Sequence, residues 1–172
     1  ISVYGTSSVY SVYSNGGHIA IGGGSASTSW NGLLIPSGYA QSNSTFTSDW
    51  YGVEFGMNQN IPAHKLMRTS GGNLRIYGDA NSAQSSQYGI AWESGEINTG
   101  SGSVDLNGKT SRDTSAAGGL NYGVGIGVSS AENDTTKLVT TGSVTITGTT
   151  AGTYTGHQGV YVRYADFNAG TS

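Results

Sequence analysis

The chain has 172 residues, 29 of them glycine, with 2 prolines, no cysteine and a net charge of −3. Its 7 Lys and Arg are scattered, which argues against nucleic acid, a partner that needs clustered cations. The missing cysteines exclude zinc fingers, iron–sulfur clusters and disulfide staples, and 11 tyrosines with only 10% charged residues point away from disorder.

Residues 1–13 alternate apolar and polar, as in Val9-Tyr10-Ser11-Val12-Tyr13, and period two predicts strand. No leader of charged, apolar and small residues stands in front of Ile1, so the start reads as a processing point or a fragment edge. Gly17-His18-Ile19-Ala20-Ile21 predicts a second strand, closed by Gly22-Gly23-Gly24. A polar Ser/Thr loop follows. Gly32-Leu33-Leu34-Ile35 predicts a short strand that Pro36 stops. Ser37 to Asp49 is polar, and Gly52-Val53-Glu54-Phe55-Gly56 resumes the strand pattern. Pro62-Ala63-His64-Lys65-Leu66-Met67 has some helical character but is too short to stand alone, so an inserted loop or one helical turn is expected.

From Lys65 onward the chain repeats a three-part cycle. The first part reads glycine, polar, apolar, any, apolar, any, glycine: residues 72–78, 102–108 and 142–148. The second opens on glycine and a branched residue: Gly89-Ile90, Gly123-Val124 and Gly159-Val160. The third runs from an apolar residue through Thr to Gly: Leu66 to Gly71, Ile97 to Gly100 and Leu138 to Gly142. Gly72 and Gly102 are 30 residues apart, Gly102 and Gly142 are 40, so the strands recur while the loops vary.

Three short strands per cycle predict an all-β chain wound as a parallel β-helix, a β-solenoid forming one segment over 1–172 with its clearest repeats at 65–165. Leu74 and Ile76, Val104 and Leu106, Val144 and Ile146 are expected to form one inward column, with Arg75, Asp105 and Thr145 outward. No turn buries its core face alone, so the array needs several turns stacked. An antiparallel β-sandwich explains the alternation equally well, but not the recurrence of three distinct strand types.

Strings such as GSVTITGT, GVYV and KLVTTGSVTITG resemble the repeats of large bacterial exoproteins, the filamentous-haemagglutinin-type adhesins with their two-partner-secretion and autotransporter-like relatives. The resemblance covers roughly residues 65–165. It implies a right-handed parallel β-helix, export across a Gram-negative envelope to an extracellular or cell-surface location, and a role in adhesion. The family's amino-terminal secretion motif is not recognisable in this chain. No binding residue carries over.

Catalysis finds little support. Glu93 with Glu96, and Glu132 with Asp134, are the only carboxylates close in sequence, and both pairs fall where a solvated turn puts charge. They leave a polysaccharide lyase or hydrolase, or a glycan-binding β-helix module, as the alternative to a structural role. No cofactor or metal is expected. Gly100-Ser101-Gly102-Ser103-Val104-Asp105-Leu106 has the flavour of a calcium nonapeptide without its spacing. His18, His64 and His157 lie far apart and read as exposed or capping histidines. Asn43-Ser44-Thr45 and Asn133-Asp134-Thr135 match the glycosylation acceptor pattern, idle in a bacterial protein.

Tyr77, Tyr88, Tyr122, Tyr154, Tyr161 and Tyr164 recur near equivalent places. Exposed, they would stack on sugars or glue one solenoid to another; partial burial against loops is the plainer reading. In Gly123-Val124-Gly125-Ile126-Gly127-Val128 an inward apolar set leaves a bare outer strip. That strip would admit another chain or loop, or mark a local bulge. Tyr77, Tyr161, Gly125 and Gly127 are therefore the candidate binding or self-association surface. Host or neighbouring-cell glycans or proteins, or a homopolymer, are the expected partners, without membrane insertion, since no apolar run nears the roughly 20 residues a bilayer needs.

Overall fold

The computed structural model describes residues 2–3, 11–42, 50–56, 66–82, 86–113, 119–128, 136–152 and 155–170. Those residues are all-β, and they build three parallel sheets and one antiparallel hairpin. The sandwich alternative fails here, because every pairing in the three main sheets is parallel.

The first sheet holds β1 (Ser2–Val3), β7 (Tyr51–Phe55), β10 (Gln87–Trp92), β13 (Asn121–Ile126) and β16 (Gln158–Val162). The second holds β2 (Ser11–Tyr13), β8 (Leu66–Arg68), β11 (Gly95–Gly100), β14 (Thr136–Thr140) and β17 (Ala165–Ala169). The third holds β3 (Ile19–Ile21), β9 (Leu74–Ala80), β12 (Val104–Thr110) and β15 (Val144–Thr150), with β6 (Ala40–Gln41) also on β9. Along the chain the strands visit first, second and third sheet in turn, and then begin again.

The inward column is present. Ile19, Leu74, Val104 and Val144 are successive register partners, as are Ile21, Ile76, Leu106 and Ile146. Leu74, Ile76, Val104 and Leu106 are buried, whereas Arg75 and Asp105 between them are half-exposed and Thr145 is exposed. The first sheet adds Val53, Ile90 and Val124, with Phe55 stacked on Trp92 at 5.5 Å. The second adds Met67, Ile97 and Leu138, and all three sets join one core. Each fully buried aliphatic side chain contributes roughly 1.5–3 kcal/mol.

Where the first and third sheets converge, the core narrows to backbone. Gly78, Gly108 and Gly148 are register neighbours, and a Cβ on each would overlap the carbonyl oxygen of Gly89, Gly123 and Gly159 respectively. Glycine recurs at these places because the sheets touch main chain to main chain there. At another corner, Thr69, Thr99 and Thr140 are buried. The hydroxyl of Thr69 donates to the Gly72 carbonyl, and those of Thr99 and Thr140 each donate to that of Gly102 at 2.6 Å. The Thr-then-Gly element of the repeat is thus a device for satisfying corner carbonyls.

The first third departs from expectation. The Ser/Thr stretch is strand β4 (Gly23–Trp30), and it pairs antiparallel with β5 (Leu33–Gly38). Pro36 does not stop β5, which has a free edge in its two-stranded sheet and tolerates a missing donor. The polar stretch after it contains β6. Asn31 and Gly32, at φ 48° and 77°, form the two-residue loop of this hairpin. Asn-Gly between alternating residues is a strong hairpin signal that strand periodicity alone overlooks. The hairpin interrupts a strand. Ile21 pairs with Ile76 and Ala40 with Gly78, so everything from Gly22 to Tyr39 stands opposite the single residue Tyr77. Leu66 and Met67 lie in β8; the rest of the expected helical turn, with His64, lies outside the described residues.

Candidate functional site

The tyrosines converge on the first sheet. Val124 and Ile126 belong to the core, so Gly125 between them faces away from it. A Cβ on Gly125 would come within 2.6 Å of the Tyr88 ring, which places that ring on the sheet's outer face. Tyr51, Tyr88 and Tyr122 are register neighbours, and their ring centroids are 5.6 and 4.8 Å apart. Tyr161 continues the row 5.1 Å from Tyr122, and Trp50 precedes it 6.5 Å from Tyr51. Parallel pairing aligns Tyr51, Tyr88 and Tyr122, because the strand repeat of about 4.8 Å suits ring contact, whereas Tyr161 is the register partner of Gly125.

The bare glycine strip is therefore occupied from within. Tyr88 and Val128 cover Gly125. Gly127, at φ 66°, donates its N–H to the Trp92 carbonyl at 2.7 Å and backs onto the Arg163 carbonyl. Both glycines are buried by their own chain.

Tyr88 and Tyr122 are stacked, with 20° between their planes, and the other steps of the row are tilted by 38–50°. Among the described residues the Tyr161 ring meets one other ring, that of Tyr122, and Trp50 is 42% exposed. The row is also electrostatically particular. Burial pushes the Tyr51 phenol well above its ordinary range, and the Glu93 and Glu54 carboxylates push it further. The Tyr51 hydroxyl faces Glu93 Oε1 at 3.5 Å. Tyr88 is pushed up to about 12, by burial first and then by Tyr122 and Glu93. Tyr122 is raised by burial and by Tyr161.

Tyr77 belongs to a different group, on the third sheet. Tyr39, at the foot of the hairpin, stacks on it at 5.5 Å, and the Arg75 guanidinium lies 3.9 Å from its ring centroid. Its hydroxyl donates to Asp105 Oδ2 at 3.0 Å, and its phenol is raised by burial and by that bond. Next to it the buried Asp79 accepts from Gln41 at 2.9 Å and Ser111 at 2.7 Å and meets Lys109 at 3.4 Å. This group ties the hairpin to the sheet, and it engages the Tyr77 ring rather than leaving it open.

The sequence brought Tyr88, Tyr122 and Tyr161 together correctly and wrongly added Tyr77 and Tyr164. Tyr164 contacts Arg163 instead, and Tyr154 lies outside the described residues. It missed Tyr51, Trp50 and Tyr39. Tyr51 precedes Gly52-Val53 as Tyr88 precedes Gly89-Ile90 and Tyr122 precedes Gly123-Val124, and that Tyr-Gly-branched triplet was the available signal.

His18 and His157 are capping residues, as expected: their Nδ1 atoms accept the N–H groups of Asn73 at 2.8 Å and Asn121 at 2.9 Å. Glu96 accepts from Asn98 at 3.0 Å, well apart in role from Glu93. Glu132, Asp134 and both glycosylation-type sites lie outside the described residues. Asp105 meets Arg75 at 3.9 Å. Among the described residues no group of three His, Cys, Asp or Glu could hold a metal ion, and no helix is long and apolar enough to cross a membrane.

Comparison of the chain with protein-family models, with curated proteins and with solved structures finds no match.

Proposed function

We propose that the chain is a segment of parallel β-helix serving as a stalk or fibre element of a secreted bacterial surface protein, mediating attachment or self-association. The observation that carries this reading is the simultaneous return of three strands in register. Leu74, Val104 and Val144 are aligned in one sheet, Val53, Ile90, Val124 and Val160 in another, and Met67, Ile97, Leu138 and Phe167 in the third. A coil rising one strand spacing per winding, about 4.8 Å, accounts for all three alignments together. The likeness of the strand sequences to filamentous-haemagglutinin-type repeats supports the same reading.

Among the described residues β15, β16 and β17 are the outermost strands of their sheets, and Val160, Val162 and Phe167 continue core columns. A further winding, whether of the same polypeptide or of a second copy, would extend each ladder in parallel; a second copy added in this way gives a contact that does not close on itself and yields a filament.

Display of the chain on a non-adherent bacterial host tests the adhesive role. Increased cell–cell clumping or retention on protein- or glycan-coated surfaces is expected. Display at full level with retention unchanged would remove it. Electron micrographs of purified protein at rising concentration test the fibre form, which a population of single particles throughout would exclude.

A further inference from the structure

The aromatic row on the first sheet has a property that neither packing nor adhesion requires. It is a continuous path of five π-systems, from Trp50 through Tyr51, Tyr88 and Tyr122 to Tyr161, with no centroid step longer than 6.5 Å. One end is an indole open to solvent, while Tyr122 within the row is only 8% exposed. A carboxylate, Glu93, stands beside the first phenol. An exposed oxidisable ring, a chain of phenols in van der Waals range and a proton acceptor are the components of a one-electron relay.

We propose that Trp50 is an oxidation site that passes the resulting hole into the tyrosine row. A one-electron oxidant of the small-radical class takes an electron from the Trp50 indole and is itself reduced. Tyr51 returns an electron to the indole radical cation, which still holds its N–H proton. As it does so, its phenolic O–H breaks and the proton passes to the Glu93 carboxylate, leaving a neutral Tyr51 phenoxyl radical, an intact Trp50 and a protonated Glu93. Each further step exchanges one hydrogen equivalent: Tyr88 gives up an electron and a proton as Tyr51 regains both. The oxidation is drawn off the surface indole and held where neighbouring rings exclude solvent. Raised ionisation of the Tyr51, Tyr88 and Tyr122 phenols accompanies this geometry, so at neutral pH these three hold the proton that must move with the electron.

Pulse radiolysis of the intact protein with azidyl radical, followed by transient absorption, tests the relay. The indole radical-cation signal should decay as a phenoxyl signal grows, at a rate independent of protein concentration. Tyr51→Phe keeps a stacked ring but removes the proton-coupled donor, and should slow that transfer about tenfold or more. Trp50→Phe should remove the fast phase, leaving any slower phase to Trp30 and Trp92. Glu93→Gln should slow the transfer and change its solvent deuterium isotope effect, which a purely structural role for Glu93 would not move. Identical transfer rates in wild type and Tyr51→Phe, with both proteins folded by circular dichroism, would overturn the proposal. So would a rate proportional to protein concentration.

Discussion

A methyl group on Gly108 would overlap the carbonyl oxygen of Gly123, on the strand facing it. That contact is repeated one level on either side, at Gly78 against Gly89 and Gly148 against Gly159. Gly108→Ala should therefore force two sheets apart and cost about 3 kcal/mol. Thr145→Ala, on the exposed face of the neighbouring strand, should change stability by less than about 0.5 kcal/mol. Urea unfolding of both variants checks the contrast, and equal midpoints would show that the sheets yield at the glycines.

Thr99 hides its hydroxyl at a corner and donates it to the Gly102 carbonyl. Valine has the same shape without the donor. Thr99→Val should cost about 1 kcal/mol, the net worth of one hydrogen bond, because the Thr140 hydroxyl still donates to the same carbonyl. Thr147→Val, on an exposed site of β15, is the matched control. Thermal unfolding of the two proteins under one condition decides the matter.

Alkali should weaken the fold through the tyrosine row. Tyr51, Tyr88 and Tyr122 ionise less readily in the folded chain than in the unfolded one. Their contribution is fully present below the unfolded phenol value of about 10. It is lost as pH rises from there through the folded value, about 12 for Tyr88. The denaturant midpoint should be flat below that window and fall within it. Tyr88→Phe should flatten the fall. A wild-type midpoint as high at the top of the window as below it would contradict the assigned burial.

The hairpin β4–β5 stands opposite one residue of its neighbouring strand, so it should be removable. Replacing residues 22–39 by a single serine joins Ile21 to Ala40 in the register both already hold on β9. The loss should be about 1 kcal/mol, the worth of the Tyr39–Tyr77 stack. Circular dichroism with thermal unfolding follows it. Collapse of the whole fold would show that the hairpin nucleates the sheet instead of decorating it.

Much of the architecture was legible because the repeat states its own periodicities. Leu74-x-Ile76, Val104-x-Leu106 and Val144-x-Ile146 alternate with polar residues, and that alternation fixes which side chains share a face. The hairpin was obscured because β4 is built of Gly, Ser, Ala and Thr, whose polarity imitates a loop. Its exposed residues have no core to advertise, and Leu34, at 79% exposure, points outward. The tyrosine row was half legible: Tyr88 and Tyr122 share a place in the cycle, whereas Tyr161 stands opposite Gly125 and Tyr77 lies on another sheet.

By itself the sequence determined the three strand types of the repeat and their inward residues, because alternation and glycine spacing are properties of neighbours along the chain. Only the tertiary structure decided that Tyr88 fills the space over Gly125, that Tyr39 and Arg75 engage Tyr77, and that Glu93 faces Tyr51. All but the Arg75–Tyr77 contact, which lies within one strand, join residues 37 to 42 positions apart. No local pattern encodes the loop lengths that bring them together.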